Sequence, residues 1–204
     1  FQEIVDLNAM NVALDGSKSV KTSQFWMDKI RECLDSSGSD SYTLVGHRHL
    51  VGVLLCVYVK ESLVQAGEVR DVRTASTAVG MMGMGNKGGV SVRLHVFDTS
   101  LCFVNSHLAA HRENVAGRNS DYLSIVEQSL FPPDPALAHG GDVGGGWVEK
   151  PLSGFRRTVH APLRILDHDV VFWLVSVCAS PSPHSLSGFV RATGYISISS
   201  SSPH

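Results

Sequence analysis

The segment 85–122 constrains the fold of this 204-residue chain more than any other. Across residues 90–96 aliphatic side chains alternate with polar ones, the period-two pattern of a β-strand. The apolar run 101–106 follows a short polar connection at 98–100, and it predicts a neighbouring strand. Polar clusters flank both strands, so the sequence predicts a β scaffold that carries site residues at its ends.

Two of these clusters have residue types suited to binding an anion. Glycines surround Asn86 and Lys87, and such a loop lets backbone N–H groups and an ammonium approach an anion closely. His107 ends the apolar run that contains Asn105, where a strand meets the surface. Side chains there are expected to reach into a cleft and not into the core.

The composition is that of a single soluble domain with its own core. Apolar residues make up 43% and charged residues 18%, and the formal net charge is −2. Such a balance gives no overall attraction to nucleic acid or anionic membranes, so any phosphate affinity must be local. No apolar run reaches the roughly 18–20 residues that span a bilayer, and the apolar run 50–60 predicts a buried strand.

The four cysteines show no metal-binding or disulfide-framework spacing. Cys56 and Cys102 lie in apolar runs and are predicted to be buried free thiols. Free thiols suit a reducing, cytoplasmic compartment.

Further elements follow from periodicity. Thr22 and Ser23 are predicted to cap a helix over 24–34. A second helix is predicted over 114–130, and further strands over 68–79 and 169–174. The inward faces are predicted to comprise Phe25, Trp26, Ile30, Cys33 and Leu34 in the first helix, and Tyr122, Ile125, Val126 and Leu130 in the second.

Six ordered motifs carry a family resemblance. They are Phe1-Gln2-Glu3-Ile4-Val5-Asp6-Leu7, Leu50-Val51-Gly52-Val53, Gly85-Asn86-Lys87-Gly88-Gly89-Val90, Phe103-Val104-Asn105-Ser106-His107-Leu108-Ala109-Ala110, Arg118-Asn119-Ser120-Asp121-Tyr122 and His168-Asp169-Val170-Val171-Phe172-Trp173-Leu174. The chain resembles the catalytic domain of inositol polyphosphate 5-phosphatases, in the exonuclease–endonuclease–phosphatase superfamily. The resemblance covers residues 1–131 and 166–174. It implies an α/β fold, a four-layer sandwich of two packed, mainly antiparallel sheets flanked by helices, incomplete in this chain.

The resemblance also implies an activity, which is Mg²⁺-dependent hydrolysis of the 5-phosphate of phosphoinositides or soluble inositol polyphosphates. By motif match, Glu3 is the metal ligand, and His107, oriented by Asn105, forms the catalytic group near the scissile phosphate. Asn86 and Lys87 match the pair that contacts a second phosphate. Arg118 and Asn119 match pocket-lining positions.

Each assignment has a structural alternative. Glu3 could be a solvated loop carboxylate, and Lys87 could be an exposed residue of a tight turn. His107 could be a strand-end histidine bonded to backbone. For Arg118 and its neighbours, a network that anchors the helix is an equal alternative to a substrate-binding role.

The resemblance ends after Leu174. The family continues there with Gly-Asp-Leu-Asn-Tyr-Arg, whereas this chain continues Val175-Ser176-Val177-Cys178. Two later catalytic motifs are also missing, so the chain as written is predicted to be inactive. We interpret the departure as a gene-structure error such as a retained intron, and the start at Phe1 as a loss of the first strands.

The expected organisation is a partial catalytic domain over 1–174 and a Ser- and Pro-rich, disordered tail over 175–204. An irregular insert is expected at 132–165. With part of the sheet missing, strands 101–106 and 169–174 are predicted to have unpaired edges and to promote aggregation.

Three hypotheses of function remain open. The first is a phosphoinositide or inositol polyphosphate 5-phosphatase. The second is a catalytically dead fragment or phosphate-binding pseudo-phosphatase. The third is a nuclease of the same superfamily, which the absence of a basic stripe disfavours. The expected partners are the inositol phosphate substrate and a peripheral membrane contact, without nucleic acid, in the cytoplasm, with the oligomeric state left open.

Overall fold

A computed structural model describes residues 1–2, 4, 16–36, 40–50, 52–79, 87–132, 162–175 and 195–197. The helices are α1 (Gly16–Ser36), α2 (Glu61–Gln65) and α3 (Val115–Gln128), with a 3₁₀ helix at Ile165–Asp167. The strands are β1 (Tyr42–Leu50), β2 (Val53–Lys60), β3 (Val69–Val79), β4 (Lys87–Val96), β5 (Thr99–His107), β6 (Leu130–Phe131), β7 (Leu163–Arg164), β8 (Val170–Val175) and β9 (Tyr195–Ser197).

The strands that carry the predicted site belong to a five-stranded sheet with the order β3-β4-β5-β8-β9. Its pairs are antiparallel except β5 with β8, which run parallel. The register of β4 and β5 places Gly88 opposite His107 and Val90 opposite Asn105. The start of β4 therefore lies beside the end of β5, which brings the two predicted anion-binding clusters together.

The described elements stack in four layers. Val90, Val92 and Leu94 of β4 pack against the hairpin formed by β1 and β2, and all three are at most 1% exposed. The opposite face of the five-stranded sheet packs on Ile125 of α3, whose side chain is fully buried. Helix α1 contacts the outer face of the hairpin, where the Tyr58 hydroxyl donates to the Met27 carbonyl oxygen at 3.1 Å. The predicted four-layer α/β sandwich is thus confirmed.

Most predicted strands are confirmed, with three departures. Leu50 ends β1 and does not start β2, because the chain turns at Gly52 between the two strands. Strand β1 was not predicted. The expectation of unpaired edges is wrong for β5, which has β4 on one side and β8 on the other. Strand β8 in turn pairs with β9 over residues 171–173, so tail residues supply the missing neighbour.

Helix α1 begins earlier than predicted, and of the five residues predicted to face inward, Ile30 and Leu34 are half-buried whereas the other three are exposed. Thr22 and Ser23 lie within the helix and do not cap it. Ser19, Ser23 and Met27, each four residues apart, are buried, whereas Phe25 is 53% exposed and Cys33 is exposed. Small serine side chains allow a helix to lie close to its neighbour, since interaxial distance depends on the side chains at the contact.

Helix α3 agrees better with its prediction. The Asn114 side chain caps it by accepting from the Gly117 amide at 3.1 Å. Ile125 is buried, and the Tyr122 ring contacts that of Trp173 with centroids 4.7 Å apart, although Tyr122 is 39% exposed. Leu130 was wrongly placed inward, because the chain becomes extended at Ser129 and β6 directs Leu130 to solvent.

The predicted insert at 132–165 falls mainly outside the described residues, as does the predicted tail apart from residues 175 and 195–197. Both therefore stay predictions. Cys56 and Cys102 are free thiols; Cys102 is buried as expected, whereas Cys56 is only partly buried. Burial raises the pKa of Cys56 to about 11 and that of Cys102 to about 12, so both thiols are protonated at neutral pH.

Across the parts of the chain that the structure describes, no helix combines the length and the apolar character needed to cross a bilayer.

Candidate active site

The predicted site residues that meet in the structure are centred on His107, the last residue of β5. Its side chain is only 2% exposed. Its Nε2 is in hydrogen-bond contact with Nζ of Lys87, the first residue of β4. Gly88 lies directly opposite His107, and a Cβ there would lie 2.3 Å from the carbonyl oxygen of Thr77. The glycine at position 88 thus allows β4 to lie close to β3 next to Lys87.

Asn105 lies two residues before His107 and faces the same side of the sheet. It is 4% exposed. Its Nδ2 donates to the carbonyl oxygens of Leu54 at 3.0 Å and Phe1 at 2.9 Å. Asn105 therefore joins β5 to β2 and to the first residues of the chain, and its orienting role stays a prediction.

Gln2 links Asn105 to His107 and was not predicted as a site residue. Its Nε2 donates to Asn105 Oδ1 at 3.0 Å and to the Ser106 carbonyl oxygen at 2.7 Å. Its Oε1 lies 3.1 Å from His107 Nδ1. The Gln-Glu pair at positions 2 and 3 was the available signal, but only the glutamate was given a role.

The first residues are held in place by backbone pairing with β2. The Leu54 amide donates to the Phe1 carbonyl oxygen at 3.0 Å, and the Ile4 amide donates to the Gly52 carbonyl oxygen at 3.1 Å. This pairing fixes the segment on both sides of Glu3. Glu3 itself and Asn86 lie outside the described residues, so their roles stay predictions.

The metal that the resemblance implies at this site is Mg²⁺, which prefers carboxylate and other oxygen ligands. Within the described ranges, no three His, Cys, Asp or Glu side chains are grouped so as to hold a metal ion. The side-chain chemistry here comprises amides, an imidazole and an ammonium. Glu3, flanked by the fixed residues Gln2 and Ile4, would place one carboxylate on the segment that carries Gln2. The part of the chain that the structure describes therefore supplies no grouped ligand set here, and the metal role of Glu3 stays a prediction.

Arg118 and Asn119 were predicted to bind substrate. Arg118 donates through its guanidinium to the carbonyl oxygens of His111 and Arg112, the latter at 2.9 Å. These contacts hold the loop before α3, where His111 has a positive φ of 73°. Asn119 is exposed on α3. The Arg118 geometry matches the helix-anchoring alternative, and a substrate role for either residue stays a prediction.

Asp121 of the same motif and Trp173 of β8 both form hydrogen bonds that fix the end of β5. Asp121 accepts a hydrogen bond from the Ala109 amide at 2.7 Å, which fixes the chain just after His107. Trp173 of β8 donates from Nε1 to the Ser106 hydroxyl at 2.8 Å. These bonds hold β5, α3 and β8 together, so the position of His107 is determined by three elements.

A second polar cluster, which the sequence did not reveal, lies inside the fold on the α3 side of the sheet. Arg93 is 1% exposed, and its Nε donates to His168 Nε2 at 2.9 Å. Its guanidinium also pairs with Asp71, which in turn pairs with Arg73. Burial tends to raise the pKa of Asp71, but the hydrogen bonds from Arg93 and Arg73 outweigh it and lower that pKa. We call these four residues the Arg93 cluster.

His168 is held neutral within the Arg93 cluster. Burial lowers its pKa and the charge of Arg93 lowers it further, against the opposing effects of its bond to the Ile165 carbonyl oxygen and of nearby Asp167. Its Nδ1 lies 3.0 Å from that oxygen, so Nδ1 carries the proton and Nε2 accepts from Arg93. Protonation would therefore remove the acceptor and place two positive charges together.

We expect the His168→Gln variant to lose less stability in mild acid than the unmodified chain. The folded-state pKa of His168 lies below its unfolded value of about 6.5, so its contribution is complete above that pH and is lost as the pH falls below it. Glutamine can accept from Arg93 without titrating. Urea unfolding at about pH 7.5 and about pH 5.5 measures the difference.

His49 also has a pKa lowered by burial and by nearby Arg48 and His47. Its protonation in acid therefore lowers the free energy of unfolding in the unmodified chain and in His168→Gln alike. The control is His111→Asn, since His111 is exposed in the loop before α3 and asparagine tolerates its positive φ. An equal acid-induced loss of unfolding free energy in His168→Gln and in the unmodified chain would show that His168 is not the group responsible.

The fold and the sequence together place the chain in a class of protein, the exonuclease–endonuclease–phosphatase superfamily. The fold is similar to a solved structure of the inositol polyphosphate 5-phosphatase domain of SPsynaptojanin, in complex with inositol (1,4)-bisphosphate and calcium. The TM-score is 0.59 at 28% sequence identity, over 86% of this chain and 40% of the other.

The sequence profile of Endonuclease/Exonuclease/phosphatase family 2 matches residues 1–175, and the chain belongs to this family. It is 36% identical over 168 residues to the type II inositol polyphosphate 5-phosphatase 15 of Arabidopsis thaliana. It is 37% identical over 133 residues to human synaptojanin-1. These alignments cover 80% and 65% of this chain, but only 15% and 8% of the respective relatives, so the chain spans a small part of their length.

Proposed function

We propose that this chain is part of a phosphoinositide or inositol polyphosphate 5-phosphatase, a phosphoric monoester hydrolase that depends on Mg²⁺. The observation that carries the proposal is the linked set Lys87, His107, Gln2 and Asn105 at the adjoining ends of β4 and β5. The names of its relatives support the substrate class, and a bound inositol bisphosphate in the similar structure supports it further.

We assign roles to Lys87, Asn86, His107, Asn105 and Glu3. Lys87, with Asn86, binds a phosphate group through its ammonium, a donor that suits phosphate oxygens. His107 supports the transferring phosphoryl group, and Asn105 holds the end of β5 in place. Glu3 would hold the metal together with substrate oxygens. When bound, Mg²⁺ would neutralise charge that develops on the phosphoryl oxygens.

A second candidate function is a catalytically dead, phosphate-binding pseudo-phosphatase. The observation that favours it is the sequence after Leu174, where Val175-Ser176-Val177-Cys178 replaces the Gly-Asp-Leu-Asn-Tyr-Arg motif of the resembled family. The described residues also lack a grouped set of metal-binding side chains. If this second function is correct, the Lys87 site binds an inositol phosphate but no phosphate is released.

The proposed setting is cytoplasmic, with peripheral contact to membranes where the substrate is a lipid. The net charge of −2 supports local recognition of a head group over general attraction to an anionic surface, and likewise disfavours a nucleic acid partner.

Phosphate release from a 5-phosphorylated phosphoinositide with Mg²⁺ tests the enzymatic proposal. We expect release from a repaired protein in which residues from Val175 onward are replaced by the corresponding portion of a type II 5-phosphatase. The unrepaired 204-residue chain is expected to release no phosphate. Repair followed by Lys87→Ala controls for release caused by the added portion alone. Silence in the repaired protein would count against the enzyme and for the pseudo-phosphatase, provided that the repaired protein binds the substrate.

A further inference from the structure

The hydrogen bonds of Asn105 have only one consistent orientation. Its Nδ2 lies 2.9 Å from the Phe1 carbonyl oxygen and 3.0 Å from that of Leu54. Carbonyl oxygens only accept, so both bonds require the amide NH₂ at this end of the side chain. The Asn105 oxygen must therefore face Gln2.

This orientation determines that of Gln2. Two acceptors surround one end of its amide, Asn105 Oδ1 at 3.0 Å and the Ser106 carbonyl oxygen at 2.7 Å. Only an NH₂ group can satisfy both. The Gln2 oxygen is consequently the atom that faces His107.

The orientation of Gln2 determines in turn which ring nitrogen of His107 carries the proton. Gln2 Oε1 lies 3.1 Å from Nδ1 and can only accept, so Nδ1 must donate. In a neutral imidazole the other nitrogen then carries a lone pair. That nitrogen, Nε2, is the one in contact with Lys87 Nζ, which is a donor only. The assignment of donors and acceptors is therefore consistent for every hydrogen bond from Asn105 to Lys87.

We infer that Gln2 is a positioning residue that holds His107 as its Nδ1–H tautomer, so that Nε2 orients the ammonium of Lys87. The inference deepens the proposed function and rests on it for its catalytic meaning. The group that meets a substrate phosphate is then the Lys87 ammonium. His107 supports the phosphoryl group indirectly, by fixing that ammonium, and not by donating a proton of its own. Free histidine favours the opposite, Nε2–H tautomer, so the protein must impose this one.

Nitrogen-15 NMR of the ring nitrogens in the 204-residue chain tests the inference without any need for activity. His107 is assigned through its connection to the backbone, and long-range correlations from the ring protons identify which nitrogen is protonated. We expect the Nδ1–H pattern in the unmodified chain and in Lys87→Ala. We expect a change towards the Nε2–H pattern in Gln2→Leu, which removes the acceptor from Nδ1.

Gln24→Leu is the matched control, since Gln24 is an exposed glutamine that donates to Asp28 within α1. An Nε2–H pattern in the unmodified chain would overturn the inference even if Gln2→Leu failed to fold. An unchanged Nδ1–H pattern in a folded Gln2→Leu variant would overturn the role of Gln2. The tautomer is measured independently of hydrolysis, so a repaired protein that releases no phosphate would count against the enzyme and not against Gln2.

Discussion

Gly88→Ala is expected to lower the free energy of unfolding by about 3 kcal/mol or more. The added Cβ would lie 2.3 Å from the Thr77 carbonyl oxygen and 2.6 Å from Leu50 Cδ2. Thr77 belongs to β3 and its oxygen is backbone, so the clash is relieved only by separating β3 from β4. The same movement would displace the neighbouring Lys87 from His107. Urea unfolding followed by circular dichroism measures the loss.

Gly67→Ala separates this steric effect from the general cost of replacing glycine. Gly67 has φ +74°, which disfavours alanine, but nothing lies within 4 Å of the position of its Cβ. We expect a loss of about 1–2 kcal/mol from backbone strain alone. If Gly88→Ala proved no more damaging than Gly67→Ala, the close packing of β3 on β4 would be wrong.

Asp71→Asn is expected to lower the free energy of unfolding by about 3 kcal/mol. Arg93 is 1% exposed, and Asp71 is the carboxylate that pairs with it. The amide keeps the size of the side chain and tolerates the positive φ of 51° at this position, but it removes the compensating charge. A buried guanidinium would then be left with the neutral His168 as its remaining partner in the Arg93 cluster.

Asp98→Asn is the control for this change. Asp98 also faces an arginine, Arg70, but at 3.7 Å and with a fully exposed side chain. We expect a change within about 0.5 kcal/mol, as for other exposed ion pairs. Similar losses for Asp71→Asn and Asp98→Asn would mean that the Arg93 charge is not buried in solution.

The sequence predicted the elements whose patterns are local. Alternation revealed β4, and the apolar run after a short connection revealed β5. The same alternation gives no sign that Arg93 is buried. Arg93 is buried since Asp71, from β3, and His168, from the loop before β8, satisfy it, and neither contact can be read from neighbouring residues.

The site residues likewise divide into those that local sequence patterns reveal and those that depend on contacts between distant residues. His107 and Lys87 could be singled out because strand-end and glycine-rich positions have recognisable local sequences. Gln2 was missed because its role depends on contacts with Asn105 and His107, more than a hundred residues away. Helix α1 was oriented wrongly because hydrophobicity favoured Phe25 and Trp26, while the contact with the hairpin selected the small side chains of Ser19 and Ser23.

The central claim is that the adjoining ends of β4 and β5 form an inositol phosphate site in which Lys87 meets a phosphate. Calorimetric titration of the 204-residue chain with inositol 1,4,5-trisphosphate, in buffer with Mg²⁺, tests it without any requirement for turnover. We expect binding that Lys87→Ala weakens by about tenfold or more, because a charge-assisted bond to phosphate is lost. Lys60→Ala, which removes an exposed lysine paired with Asp40, should leave the affinity unchanged. Equal affinities of the Lys87→Ala and Lys60→Ala variants, or no binding by the unmodified chain, would contradict the claim.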